Sequence, residues 1–330
     1  MTHSNPLVLA VLAAAAMALT AVQNPVPIVA AQAARTPRHM ALTFDDLPYA
    51  YVAPGEVGAL AKAQRVTSAL LRVLASHHAP VVAFVNEAKL ESGPELGART
   101  ALLQQWVGAG AILGNHTYSH ADFNTLTIRQ FEDEILKGEV VTRRLMRPRQ
   151  PYQLYFRHPQ THTGDTQAKK KAIEAFLEAR GYKVAPHTID SSDYIFNRGY
   201  IQTLGRDEAT ATRLREAYLD FVVRATEFAE GVSRQIFGRD IPQTILLHAN
   251  DINADSLDDL LKRLEARGYA FVSLDTAVAD PAYRTKDTLV TKFGPTWLWR
   301  WVKSQGMSVS FREDPEPPQW VMELSKTAAR

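Results

Sequence analysis

Between residues 38 and 280, short apolar runs alternate with longer stretches whose apolar side chains recur every three or four positions. The short runs are His39–Phe44, Pro80–Asn86, Ala111–Gly114, Tyr152–Phe156, Tyr182–Thr188, Thr244–Leu247 and Tyr269–Leu274. They are rich in Val, Ile, Leu, Phe and Tyr and end at Gly, Pro or charged residues, so each predicts a strand. The stretches between them, Glu56–His77, Glu95–Gly108, Ile128–Met146, Thr166–Arg180, Asp207–Phe237 and Ser256–Arg267, predict helices. Several begin at Ser, Thr or Asp and stop at a glycine such as Gly181 or Gly268, the usual start and stop chemistry. Strands separated by helices read as parallel βα units. With no internal repeat, a single α/β barrel over residues 34–279 is the expected architecture. The segment Asp207–Phe237 reads as an amphipathic packing helix, with a groove wall as the alternative.

The two ends break this pattern. From Met1 to Ala33 there is no Lys, Arg, Asp or Glu, and Leu7 to Val22 is almost wholly apolar. Ala31-Gln32-Ala33 then supplies a small-x-small cleavage pattern. Residues 1–33 therefore read as a secretory signal peptide, which predicts an exported protein, periplasmic or extracellular. A retained N-terminal anchor is the alternative, although the apolar run is short for a spanning helix. Residues 280–330 hold Trp297, Trp299, Trp301 and Trp320 and the run Pro315-Glu316-Pro317-Pro318. Such a tail can present rings to a sugar or pack them on the barrel; packing is the plainer expectation.

Composition narrows the chemistry. Lys plus Arg number 37 against 35 Asp plus Glu, and the resulting +2 balance with no basic block argues against nucleic acid as a partner. A hydrophobic share of 46% supports a large core and excludes intrinsic disorder. There is no cysteine, which removes thiol nucleophiles, disulfides and cysteine metal sites, so a metal would rest on histidine and carboxylate.

Polar residues gather where the predicted strands end, the place where βα loops build barrel active sites. The first ends in Asp45-Asp46, and adjacent carboxylates at a strand terminus point in different directions. One can take a metal while the other handles a proton; a turn or helix cap is the bland alternative. The third ends in Asn115-His116-Thr117-Tyr118-Ser119-His120. Histidines four apart meet on one side of a helical turn, and with a carboxylate they compose a catalytic zinc-type site. The fourth ends in Arg157-His158-Pro159-Gln160, where an arginine can hold a carboxylate ionised. The fifth ends in Asp190-Ser191-Ser192-Asp193-Tyr194 and the sixth in Leu246-Leu247-His248. A histidine there can act as general acid if an aspartate keeps it protonated. Asp190 either orients the site or caps its loop. His158 and His162 read as loop hydrogen-bonders, with metal or substrate contact as the alternative. His187 and the His77-His78 pair read as structural or solvent-facing.

From Arg38 to Thr276 these residues resemble the polysaccharide deacetylase family, the carbohydrate esterases that share the NodB homology domain. Thr43-Phe44-Asp45-Asp46 is similar to the family's first motif and His116-Thr117-Tyr118-Ser119-His120 to its second. Arg157-His158-Pro159-Gln160 resembles the third, although proline and an aromatic are usual where His158 and Gln160 stand. Asp190 to Tyr194 resembles the fourth with Tyr194 in place of tryptophan, and Leu247-His248 fits the fifth. The resemblance implies a distorted (β/α)7 barrel and a metal-assisted deacetylase site. Carried over, Asp46, His116 and His120 would bind one divalent ion, zinc first, with cobalt, nickel or manganese as alternatives. Asp45 would be the base and Arg157 would orient it. His248 would protonate the leaving group, paired to Asp193. The backbone N–H of Gln160 would help hold the oxyanion, and Tyr194 and Leu247 would line the acetyl pocket. The implied substrate is an acetylated glycan, chitin- or peptidoglycan-like, cleaved at N-acetyl groups. The departures at Gln160 and Tyr194 keep two alternatives open: an O-acetyl ester, or a small non-sugar amide. An inactive glycan-binding barrel is the remaining one.

Overall fold

The computed structural model describes residues 38–50, 58–91 and 93–327. The expected signal peptide, residues 1–33, lies outside them. The strands are β1 (Arg38–Leu47), β2 (Val81–Val85), β3 (Ile112–Asn115), β4 (Leu154–Phe156), β5 (Tyr182–Val184), β6 (Ile189–Asp190), β7 (Gln243–His248) and β8 (Tyr269–Phe271). The helices that flank them are α1 (Ala59–Ser76), α2 (Leu96–Gly108), α3 (Ile128–Lys137), α4 (Val140–Met146), α5 (Gln167–Ala179) and α6 (Asp193–Thr203). The rest are α7 (Glu208–Phe237), α8 (Asp251–Ala266), α9 (Leu274–Val278), α10 (Trp297–Ser304) and α11 (Gln319–Thr327).

All recorded strand pairs are parallel, in the order β5-β4-β3-β2-β1-β7-β6, with β8 pairing the start of β1. The sheet curls into a distorted (β/α)7 barrel whose central strand is β1. All five residues of β2, Val81 to Val85, are buried, as a parallel strand covered on both faces requires. On α1 the buried positions Ala59, Ala63, Val66, Leu70, Val73 and Leu74 follow the helical repeat and face the sheet. Helix starts are closed by side chains: Thr127 and Gln130 form a capping box on α3, and Thr166, Asp207 and Asn250 cap α5, α7 and α8.

One predicted strand is corrected. The run Tyr182–Thr188 is two short strands, β5 and β6, at opposite edges of the sheet. Pro186 lies between them and has no N–H to give a ladder. The Ala185 N–H bonds the Phe156 carbonyl on one edge, and the Thr188 N–H bonds the Thr244 carbonyl on the other. Four residues thus carry the chain across the seam of the barrel.

The described residues, from 38 to 327, belong to one compact unit. The C-terminal segment packs into it: Trp297, Leu298, Trp301, Val302 and Val321 join the main core. Trp299 and Trp320 are half-buried, with Lys303 and Arg213 respectively over their rings. Among the described residues, no helix is long and apolar enough to cross a membrane.

Candidate active site

The site opens at the carboxyl ends of the strands. The pairing of β1 with β2 slips between Phe44 and Leu47, and Asp46 falls in that irregularity with a left-handed φ of 70°. A bulge of this kind re-aims side chains, and it sends the Asp45 and Asp46 carboxylates to different partners.

After β3 the chain does not form the helical turn expected from the His116–His120 spacing. It runs as a loop in which Thr117 and His120 both have positive φ, 65° and 60°. The Asn115 carboxamide oxygen accepts from the Thr117 N–H at 2.8 Å, and the Asn86 amide donates to the His116 carbonyl at 2.6 Å. These bonds hold the turn that brings the two rings together, 4.9 Å between centroids.

One donor atom each from Asp46, His116 and His120 lie within 4.8 Å of one another. Asp46 Oδ1 is 3.8 Å from His116 Nε2 and 3.7 Å from His120 Nε2. His116 Nδ1 donates to the Arg157 carbonyl at 2.8 Å, which leaves Nε2 with its lone pair free, the arrangement a metal-binding imidazole needs. Burial pushes both imidazoles down to about 4, so both are neutral at pH 7. Asp46 is held well below the ordinary carboxylate range, because Lys89 and the histidines outweigh its burial. Lys89 Nζ sits 3.2 Å from the same oxygen, Oδ1, that faces both histidines.

Asp45 is nearly fully buried, and its Oδ1 has no hydrogen-bond partner. Its Oδ2 lies 3.6 Å from Arg157 Nη1 and 3.7 Å from His116 Nε2. Burial raises its pKa, and Arg157 opposes that rise. Arg157 is itself wholly buried; it donates from Nη2 to Thr43 Oγ1 at 3.0 Å and lies over the Phe84 ring. Across β1, Asp45 is in register with His248 on β7. His248 Nδ1 meets Asp193 Oδ1 at 2.6 Å, and its backbone N–H donates to Asp193 Oδ2 at 2.7 Å. Burial works against its charge, but Asp193, with Asp46 and Asp45, pushes the imidazole up to about 10. Asn253 donates to Asp193 and Tyr218 donates to Asn253, completing a buried chain.

Asp45, Asp46, His116, His120 and His248 all line one cavity of about 610 Å³. Gln160 and Tyr194 are on its wall, with Asp190, whose Oδ1 also accepts from the Ser192 N–H. Leu247 is not on the wall: it is fully buried in the core, and Leu246 faces the cavity. Alternation along β7 puts residues 246 and 248 on one face and 247 on the other. His158 lines the cavity, whereas His162 bonds Asp122 at 2.7 Å. His187 packs in the interior against Trp297, and His77 is held by Asp258 and Glu265. Sequence reasoning missed Lys89, Asn253, Arg198 and Gly294. Lys89 and Gly294 reach the site from distant parts of the chain, and Arg198 and Asn253, though close to Tyr194 and His248 in sequence, carry no local pattern that marks them.

Residues 32–175 match the family model described as polysaccharide deacetylase. An uncharacterized 30.6 kDa protein of Geobacillus stearothermophilus is 27% identical over 222 residues, 66% of this chain and 68% of that protein. The polysaccharide deacetylase Bc1974 from Bacillus cereus is similar in structure, with a TM-score of 0.48, 19% identity, and 72% and 91% of the two chains covered. BA3943 from Bacillus anthracis, a carbohydrate esterase family 4 pseudoenzyme, gives a TM-score of 0.47 and 16% identity over 73% and 66% of the two chains. The matched segment contains Asp45, Asp46, His116, His120 and Arg157 and ends before Asp193 and His248. Over that segment, somewhat less than half of its length, this chain is similar to the polysaccharide deacetylase family.

Proposed function

We propose that this chain is an exported, metal-dependent deacetylase that hydrolyses N-acetyl groups of a polysaccharide or oligosaccharide and releases acetate. The observation that carries the reading is one cavity wall holding a His-His-Asp donor cluster, a buried carboxylate with one oxygen free of hydrogen bonds and an imidazole kept protonated by its own aspartate.

The donor set suits zinc: two neutral imidazoles and one carboxylate leave coordination positions open. Asp46 Oδ1 is buried and faces the Nε2 atoms of both histidines at 3.8 and 3.7 Å, so the three donors converge as a cation requires. Such an ion supplies Lewis acidity, polarising a carbonyl and acidifying water. Asp45, in its carboxylate form, takes the proton of the attacking water, and Arg157 favours that form and holds it in place. The Gln160 N–H donates to the acetyl oxygen as negative charge gathers there. His248, charged at neutral pH, delivers a proton to the departing nitrogen, without which an amine is a poor leaving group. Tyr194 and Leu246 bound the space for the acetyl methyl. Export is supported by the charge-free, apolar leader of the sequence.

The test is acetate release by zinc-reconstituted protein from chitooligosaccharides, peptidoglycan fragments and acetylated xylan. Acetate from an N-acetyl sugar is expected. Release from the xylan alone, or from none of them, overturns the proposal.

A further inference from the structure

The turn after β4 is strained. Gln160 and Thr161 both have positive φ, 53° and 57°, a conformation that is unfavourable for residues with side chains. Such a turn persists only where its surroundings hold it. Here the surroundings are the C-terminal segment, more than a hundred residues away in sequence. Gly294 approaches so closely that a Cβ on it would lie 1.9 Å from the Gln160 carbonyl oxygen and 3.0 Å from Thr161 Cβ. Arg300, wholly buried, donates to the Thr161 carbonyl and to Thr163 Oγ1, each at 3.0 Å, and Asp287 holds its guanidinium at 3.1 Å. On the other side Asn124 donates to the Lys292 carbonyl at 2.9 Å. Gly294 also forms part of the catalytic cavity wall.

We propose that the C-terminal segment is a working part of the active site, with Gly294 and Arg300 as positioning residues that hold the Gln160 turn and so aim its N–H at the acetyl oxygen. This rests on reading the cavity as an acetyl-hydrolysing site. The chemistry explains why a remote segment matters. A donor aimed where charge develops is effective only in position, and a misplacement of about 1 Å can cost roughly a hundredfold in rate. The role also accounts for a glycine at 294. Its φ lies outside the left-handed region, so the need is for space against Gln160 and not for backbone freedom.

Gly294→Ala probes this contact directly, since the added methyl overlaps the Gln160 carbonyl oxygen and crowds Thr161 Cβ, so the turn must shift. We expect kcat on chitooligosaccharides to fall about 10- to 100-fold with KM changed less than about threefold. Zinc affinity by calorimetry should stay within about twofold, because the donors stand on β1 and the loop after β3. Hydrogen exchange should quicken in the peptide spanning residues 158–164. Gly231→Ala, in α7 where a Cβ meets nothing within 4 Å, should match the unaltered protein. If Gly294→Ala does not fold, Arg300→Lys keeps a charge for Asp287, loses the fork that reaches Thr161 and Thr163, and should give the same kcat loss. Normal kcat and normal exchange at 158–164 would overturn the proposal, as would a kcat loss matched by equal loss of zinc affinity. If the unaltered protein releases no acetate, the functional reading falls alone, and the exchange measurement still decides whether Gly294 holds the turn.

Discussion

Asp45 and Asp46 are neighbours in sequence, yet only Asp46 has an ammonium group and two imidazoles around one of its oxygens. That difference separates their tasks. Asp46→Ala is expected to abolish stoichiometric zinc binding in calorimetry. Asp45→Asn should keep the ion and lose turnover by about a thousandfold or more, the scale of a missing general base with its oriented water. Lys89 supplies a finer test. Its ammonium occupies the same carboxylate oxygen that a dication would use, so Lys89→Met should tighten zinc binding about tenfold, roughly 1.4 kcal/mol. The titrating groups also set a pH profile. Asp45 must be ionised, so the rate rises with pH through its raised pKa. His248 must be charged, so the rate falls again as pH passes about 10. Asp193→Asn removes the principal support for that charge, and the alkaline limb should move down toward 6.5, the ordinary imidazole value. At this scale the sequence was informative wherever a pair sat close in the chain, as Asp45-Asp46 and His116–His120 do. It was silent on Lys89 and Asn253, because nothing local marks a lysine or asparagine that reaches the site from another element.

Period-2 alternation along β7 explains the misassignment of Leu247. The resemblance identified the leucine beside His248, but the neighbour of a strand residue faces the opposite side, and the cavity-facing leucine is two positions before 248. The consequence is measurable. Leu247→Ala should lower stability by about 2–5 kcal/mol in chemical denaturation with little effect on KM. Leu246→Ala should change KM for the acetylated substrate more than it changes stability. The seam between β5 and β6 was hidden for a related reason. Tyr182 to Thr188 looks like one strand by hydrophobicity, and Pro186 alone signals that the ladder cannot continue. The loop after β3 shows a third case. Spacing of four predicted a helical turn, and the structure reaches the same convergence of rings through left-handed residues and the Asn86 and Asn115 side chains.

Across the whole molecule, the C-terminal tryptophans divide between core and surface. Trp301 is almost wholly buried among the main core residues, so Trp301→Ala should cost about 3–5 kcal/mol and leave a single unfolding transition for barrel and tail together. Zinc should stabilise that same transition: at a hundredfold excess over its Kd, about 2.7 kcal/mol, lost on chelation. The barrel itself was legible because its strands and helices alternate cleanly. The placing of the tail was not, since its contacts with Gln160, Thr161 and Thr163 are purely tertiary. The order β3-β2-β1-β7-β6 has a last consequence. The two candidate histidine ligands come from one side of β1, after β3, with Asp46 on β1 itself, and the proposed proton donor with its aspartate comes from the other side. Under the proposed function, a variant without His248 should still bind zinc but not turn over, while one without His120 should keep the charged imidazole and lose zinc affinity. Ion binding and proton donation are therefore separable in the proposed chemistry, each testable by which side of β1 is altered.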